Sequence, residues 1–394
     1  MRPRLKIAVA GAGMGGLAAA ALLAGRGHDV TVFDRFDAPR PVGSGLVIQP
    51  VGQDVLRALG AFDAARRMGN AVTRMLGYEV EAGRRVLDVH YERGGDGRFG
   101  LAIHRAALFD ALMAAARTAG AGVETGCEVV AADRGRLVFA DGRQSAAHDL
   151  VVDATGAGSP LSPIRCRQLS YGAIWSTVDW PDETALPFDQ LSQRYRRADR
   201  MVGVLPIGAV PGETGRKAAI FWSVPRGGFA DWRAAGLSRW QAEAAALWPD
   251  FAPFAERVTE PGQMVMARYS HGTLVKPFSD GIAHIGDAAH RASPQLGQGA
   301  NMALLDAMAL TEALEREPVD IALLHYARAR RWHVWVYQAM SAVFTPQYQS
   351  DSRWQPWVRD RLLFPMSQVA PVPRVLTAIV CGTMIPPLGS LQRQ

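Results

Sequence analysis

Six residues near the start of the chain, Gly11-Ala12-Gly13-Met14-Gly15-Gly16, have the spacing G-x-G-x-x-G. Glycine at the first position permits a tight turn, and at the second it lets a phosphate reach the backbone. At the last position, Gly16, it lets a helix pack closely against a strand. Such a loop binds a dinucleotide pyrophosphate at a helix N-terminus, where free N–H groups and the helix dipole favour negative charge. Asp34 ends the next predicted strand, where an acid bonds ribose hydroxyls, and Arg35 stands beside it. The glycine spacing alone is a weak signal; with strand, helix and acid in order it is strong.

A second constellation runs from Gly286-Asp287-Ala288-Ala289-His290 through Pro294, Gly297 and Gly299 to Ala300-Asn301. It reads as a strand end, an acid, a glycine-studded loop and the start of a long helix. That helix N-terminus could stabilise negative charge on a bound ring or phosphate. His290 reads as part of the loop's structure, and His104, His271 and His284 as structural histidines. No histidine pair has the spacing H-x-x-x-H, so no metal is expected.

The elements that must hold these residues follow from the hydrophobic pattern. Leu5 to Ala10, Gly16 to Arg26 and Val30 to Asp34 form a strand, a helix and a strand, the unit of a parallel sheet with crossover helices. Helices are predicted at 51–60 and 104–119, a hairpin at 77–91, and short strands at 128–132, 136–140 and 150–154. From Leu169 to Lys276 the chain is rich in aromatics and proline. Strand-like runs at 172–178, 201–205, 218–224 and 265–274, with one helix at 237–247, predict a mostly antiparallel layer. Ile282 to Ile285 returns to buried-strand character, then helices are predicted at 301–314 and from 321 to about 344. The first sheet therefore begins near residue 5 and is completed near residue 285, so the two domains are interleaved.

Composition narrows the function classes. Of 394 residues 48% are apolar and 20% charged, which excludes a disordered chain. The net charge of +6 rests on scattered arginines, with only Lys6, Lys217 and Lys276 as lysines and no basic tail; nucleic acid is not an expected partner. Three widely spaced cysteines (Cys127, Cys166, Cys381) offer no disulfide framework and fit a reducing cytoplasm. Arg2, Arg4 and Lys6 before an apolar run to Ala24 imitate a secretion signal, but the regular glycines and the following strand argue against one. The apolar stretch 375–388 is cut by Gly382, Pro386 and Pro387, and no membrane span is expected.

Taken together, the two motifs resemble the class A FAD-dependent monooxygenases, the aromatic hydroxylase family with the para-hydroxybenzoate hydroxylase fold. The family stretch G-D-A-A-H-x-x-x-P-x-x-G-Q-G-x-N is matched from Gly286 to Asn301, Asp306 stands where the following helix usually carries an acid, and His104-Arg105-Ala106-Ala107-Leu108 resembles its R-x-x-L segment. The likeness runs from residue 5 to about 345. It implies a Rossmann-like α/β FAD-binding domain in three parts, 1–75, 101–168 and 279–345 with the long helix. A substrate-layer hairpin at 76–100, a β substrate domain at 169–278 and a helical C-terminal segment of unassigned role at 346–394 complete it. By the resemblance, Gly11, Gly13, Gly16, Asp34, Arg35, Arg105, Asp287, Pro294, Gly297, Gly299, Ala300 and Asn301 hold FAD, and Pro294 lies beside the isoalloxazine. Gln49, in a segment like the one that passes the flavin edge, and Trp222 are candidate substrate-pocket residues with Pro294. Trp175, Trp222, Tyr269 and Phe278 could wall a pocket; taken singly, core is the preferred reading of each.

The implied reaction uses NAD(P)H and O2 to hydroxylate an aromatic or polycyclic small molecule through a flavin C4a-hydroperoxide. One departure stands out. Where the family has G-A-D-G-x-x-S-x-x-R, this chain has Asp153-Ala154-Thr155-Gly156-Ala157-Gly158-Ser159-Pro160-Leu161-Ser162. The A-T-G form resembles the geranylgeranyl reductase and flavin-dependent halogenase branches. A flavin reductase or oxidase without oxygen insertion is therefore the alternative. Halogenation is the weaker one, because neither Lys217 nor Lys276 sits in the halogenase-like position and W-x-W-x-I-P is absent.

Overall fold

The computed structural model describes residues 3–37, 44–94 and 97–392; Arg2, which entered the sequence reading, lies outside them. Strand Lys6–Ala10 is apolar after its first residue and lies parallel between Leu150–Asp153 and Asp29–Phe33. Gly122–Glu124 closes one edge, while Ile282–His284 and Phe278–Ser279 complete the other, giving six strands from four distant parts of the chain. Strands covered on both faces read as continuous apolar runs, as Ile7–Ala10 and Leu150–Val152 do. The alanines of helix Met14–Gly25 leave room for helices Arg105–Thr118 and Gly299–Arg316 to pack directly on it.

The second layer is an eight-stranded sheet. Its order is His290–Arg291, Val265–Thr273, Arg167–Asp179, Lys217–Pro225, Arg200–Gly208, Gln190–Arg196, Arg74–Glu79 and Arg85–His90. All neighbours are antiparallel except Gln190–Arg196 against Arg74–Glu79. The predicted hairpin thus joins one edge of this sheet, and its two strands flank a turn that holds Ala82-Gly83. Strand Gln190–Arg196 was not expected, because the sequence QLSQRYR offers no apolar run. Its alternation is nonetheless real: Leu191, Gln193 and Tyr195 share the face that lines a cavity.

The two faces of this sheet have different fates. Ile174, Val202, Val204, Ile220 and Trp222 pack under a helical cap built from Phe229–Ala235, Leu237–Leu247 and Ala252–Glu256, with Trp240, Trp248, Phe251 and Phe254. Trp222 meets Trp240 edge to face at 6.1 Å. Trp175, Phe221 and Tyr195 point the other way, toward the first layer.

Helix Val319–Tyr348 extends past its predicted end to Tyr348, and Gln349 N–H still bonds the Thr345 carbonyl beyond Pro346. The following segment folds into short turns and helix Val372–Cys381, which returns to the hairpin: Thr377 Oγ1 donates to the His90 carbonyl at 2.8 Å. Among the described residues no single helix is long and apolar enough to cross a membrane.

Because Trp240 packs on the far side of the sheet, its removal tests that core alone. Trp240→Ala is expected to lower unfolding free energy by about 3–5 kcal/mol, read as a lower urea midpoint at unchanged slope. A loss under about 1 kcal/mol would mean that the cap is loosely held.

Candidate active site

A cavity of about 1120 Å³ opens between the two layers. Its floor begins at the first glycine loop. Gly11 has φ +102°, and a side chain there would collide with the Ala154 carbonyl. A Cβ on Gly16 would run into the Gly11 carbonyl. The first intrahelical bond runs from Leu17 N to Gly13 O, so the amides of Met14, Gly15 and Gly16 precede the ladder and Gly13 supplies no side-chain cap. Asp34 braces this loop, with its Oδ2 accepting the Ala12 N–H at 2.6 Å. Arg35 is exposed beside it.

The second loop meets the first from above. Gly286–Ala288 is one 3-10 turn, and Asp287 carries its carboxylate into the cavity without a hydrogen bond to the described residues. Desolvation in the cleft pushes its pKa up, and the charges of His290, Arg291 and Arg105 pull it back only in part. Gly297 is left-handed at φ +61°, and helix Gly299–Arg316 starts with the amides of Gly299, Ala300 and Asn301 ahead of its first bond, Met302 N to Gln298 O. Gly13, Arg105, Asp287, Pro294, Gly297, Gly299 and Ala300 therefore line one cavity.

Asn301 works behind that wall. Its Oδ1 accepts the Gln49 N–H at 2.8 Å, and its Nδ2 donates to the carbonyls of Gly297 and Val47. Gln49 does not face the cavity as expected. It is fully buried beneath Gly297, its Oε1 accepting the Tyr91 hydroxyl at 2.7 Å and its Nε2 without a partner among the described residues. The Trp222 expectation is also corrected: strand alternation places it, 1% exposed, in the core under the helical cap. Its neighbour Phe221 lines the cavity, with Trp175 against it at 4.6 Å. Trp175 and Tyr269 are not mere core, and they are joined by a hydrogen bond from Trp175 Nε1 to Tyr269 Oη at 2.9 Å. Phe278 instead packs against the central core.

Two buried carboxylates hold the loops. Asp306 accepts from Gly286 N at 2.9 Å, pairs with His290 Nε2 at 2.6 Å and takes Arg330 Nε at 2.7 Å. Burial would raise its pKa, but the charges and hydrogen bonds of His290 and Arg330 hold it down at about 2. Asp153 lies at the end of a central strand. It accepts from Thr155 Oγ1 and Ser159 Oγ, both at 2.7 Å, and pairs with His284 Nδ1 at 2.8 Å. Burial again opposes ionisation, and these contacts outweigh it. Sequence reading did not anticipate Arg330. The stripe Arg330, His333, Tyr337 and Ser341 on one helix face was the available signal.

The cradle fits a dinucleotide with a ring system. Two glycine loops leave free amides where side chains would collide, the Asp287 carboxylate has no hydrogen bond to the described residues, and the space continues to an aromatic wall. That combination of fold and site defines an FAD-dependent oxidoreductase of the two-layer monooxygenase type. An FAD-binding-domain family model matches residues 4–161 and 197–338. The chain is 28% identical over 341 residues to a 6-hydroxynicotinate 3-monooxygenase of Bordetella bronchiseptica, covering 80% of this chain and 84% of that protein. It is 32% identical over 332 residues to a 3-amino-4-hydroxybenzoate 2-monooxygenase of Streptomyces cremeus, covering 80% and 79%. The structure of Klebsiella pneumoniae HpxO complexed with FAD and uric acid superposes with a TM-score of 0.78 at 20% identity, covering 98% of each chain. The chain belongs to the class A FAD-dependent monooxygenases, the aromatic hydroxylase family.

Asp306→Asn is expected to cost about 3–5 kcal/mol at neutral pH, since Arg330 then stays buried without its counter-charge. A carboxyl depressed from 3.8 to about 2 contributes stability above its unfolded value and loses it as pH falls through the folded one. The gap between wild type and variant should therefore close between about pH 4 and pH 2 in acid unfolding curves. A constant gap would show that the carboxylate's charge is not what stabilises the loop.

Proposed function

We propose that this enzyme hydroxylates a small aromatic or heteroaromatic molecule, using FAD, NAD(P)H and O2 in the cytoplasm. The observation that carries the reading is the continuity of one cavity from the glycine cradles to the wall of Trp175, Phe221 and Tyr269. Similarity to enzymes named for hydroxylating nicotinate and benzoate rings supports it.

In this reading Gly11, Gly13 and Gly16 bring the backbone to the pyrophosphate, while the amides of Met14 to Gly16 donate to it. Asp34 and Arg35 would hold the ribose end, Arg105 and Asp287 the linking region, and Pro294 the ring. The amides of Gly297 to Asn301 would donate to the ring's polar edge, with Asn301 itself positioning the loop. Bound FAD would supply the redox chemistry. The protein positions the substrate and keeps water away, and the apolar sheet face suits both tasks.

Tyr269 is the polar group on that face best placed to orient a substrate. Its oxygen is already engaged by the Trp175 indole N–H, and its own proton remains to donate. Desolvation pushes its pKa far above neutrality, so it acts as a donor and not a base.

Anaerobic mixing with NADPH or NADH should bleach the flavin, faster with one member of a panel of hydroxylated benzenes and pyridines than without it. Under ¹⁸O₂ that compound should acquire the label. Peroxide as the sole oxygen product would instead favour the oxidase alternative. Tyr269→Phe should lower kcat/KM by about tenfold, the worth of one hydrogen bond to substrate. Unchanged kcat/KM would remove Tyr269 from substrate positioning.

A further inference from the structure

The C-terminal segment, unassigned from sequence, has two unlike faces. Its inner face closes the cavity: Phe364, Ser367 and Leu376 line it, and Leu363 does so while 37% exposed. Its outer face is apolar and uncovered. Trp354, Trp357, Leu362, Met366 and Val369 are each more than half exposed, Trp354 most at 68%. Single large apolar side chains are ordinary on a protein surface, but five within 16 residues mark a surface that a partner covers.

The shape of the segment limits what that partner is. Gln355–Ser367 and Val372–Cys381 meet at a bend of 103°. Helices of those lengths run about 20 Å and about 15 Å, against a bilayer hydrocarbon core of about 30 Å. The second is also tied to the protein body, by Thr377 Oγ1 to the hairpin and by the Tyr337 hydroxyl, which donates to the Ile379 carbonyl at 2.9 Å. Such a segment can lie on a bilayer but not cross it.

Charge selects among the remaining partners. From Ser352 to Gln392 the only acid is Asp360, and it accepts from Arg359 Nε at 2.6 Å. Arg359 is itself turned inward, its Nη1 donating to the carbonyls of Gln347 and Arg197. Arg353, Arg361 and Arg374 are exposed and make no ion pair with a described residue. Tryptophan and aliphatic side chains interspersed with unpaired arginine suit the headgroup region of an anionic bilayer. Indole rings settle at that boundary, and arginine stems stay in apolar surroundings while their heads meet phosphates. A second copy of the chain is a poorer fit, since a two-fold contact on this face sets the same arginines against each other.

We propose that the outer face of residues 353–375 docks the enzyme on an anionic lipid bilayer, peripherally and without crossing it. Leu363, shared by the cavity wall and the outer face, then stands at the lipid surface.

The test spins the FAD-loaded chain with vesicles of phosphatidylcholine alone or mixed equally with phosphatidylglycerol, and reads the pelleted fraction from the flavin absorbance. The mixed vesicles should carry the enzyme down and the neutral ones should carry little, with binding weaker at high salt. Trp354→Ser with Trp357→Ser should weaken binding about tenfold or more. Arg353→Gln, Arg361→Gln and Arg374→Gln together should weaken it about a hundredfold, about fivefold for each charge. The same change at Arg67, Arg117 and Arg239, exposed elsewhere, should cost far less. No pelleting with the mixed vesicles overturns the proposal, as does pelleting that survives the tryptophan pair. Equal losses from the two arginine triples also overturn it, because net charge alone would then explain the binding. Self-association without lipid that the tryptophan pair abolishes, read by sedimentation velocity, would make this face an interface between copies and overturn it too. Should the tryptophan pair lose its flavin, the two arginine triples decide.

Discussion

The buried Asp306 carboxylate is the constraint on which the site geometry depends. It sits on the helix that begins at the second glycine loop, and it is wholly shielded from solvent. Through Gly286 N and His290 it grips the segment that precedes the loop; through Arg330 it grips the next helix. Three pieces of chain that would otherwise move independently are thereby fixed to one charge. Arg330 extends the grip to the C-terminal segment, donating from Nη1 to the Pro387 carbonyl. Asp287 can remain unpaired in the cavity because its neighbours on both sides are held by this network and not by Asp287 itself.

Such an arrangement is stable only when every buried polar group is served, since a half-satisfied network is worse than an apolar one. Asp306 meets that condition with acceptor sites filled on both oxygens. Other buried atoms lack a partner among the described residues, Gln49 Nε2 beneath Gly297 and Trp240 Nε1 under the helical cap among them.

What the sequence disclosed follows the range of the interactions involved. The glycine loops were legible because each glycine answers to a local backbone demand, and strand, turn and helix are all within a few residues. The interleaved topology was legible too, from the buried-strand character of Ile282 to Ile285. Trp222 was misplaced because a pattern of aromatics does not say which face of a strand looks at a cavity; Phe221 and Trp222 differ by one residue and serve opposite layers. Strand Gln190–Arg196 escaped notice because its cavity face is partly polar. Arg330 and Arg359 were illegible for another reason: their partners, from Asp306 to the Arg197 carbonyl, are brought close only by the fold.

The departure at Thr155 has an electrostatic explanation internal to the strand end. The family carries its acid at this position and a glycine two residues earlier, whereas this chain carries Asp153 and Thr155. Thr155 Oγ1 lies 2.7 Å from Asp153 Oδ1 and donates to it. A second carboxylate in that place would put two like charges in contact inside a protein, where one must stay protonated. With Asp153 ionised and buried, a hydroxyl donor at 155 is the complement that the pocket requires, and Ser159 and His284 supply the rest. Ala154 and Gly156 line the cavity while Thr155 bonds inward to Asp153, so the exchange repacks the strand end and does not rebuild the cavity wall. The A-T-G form therefore gives no independent support to a reductase or oxidase, and the weight falls on the aromatic wall and on the similarity to named ring hydroxylases.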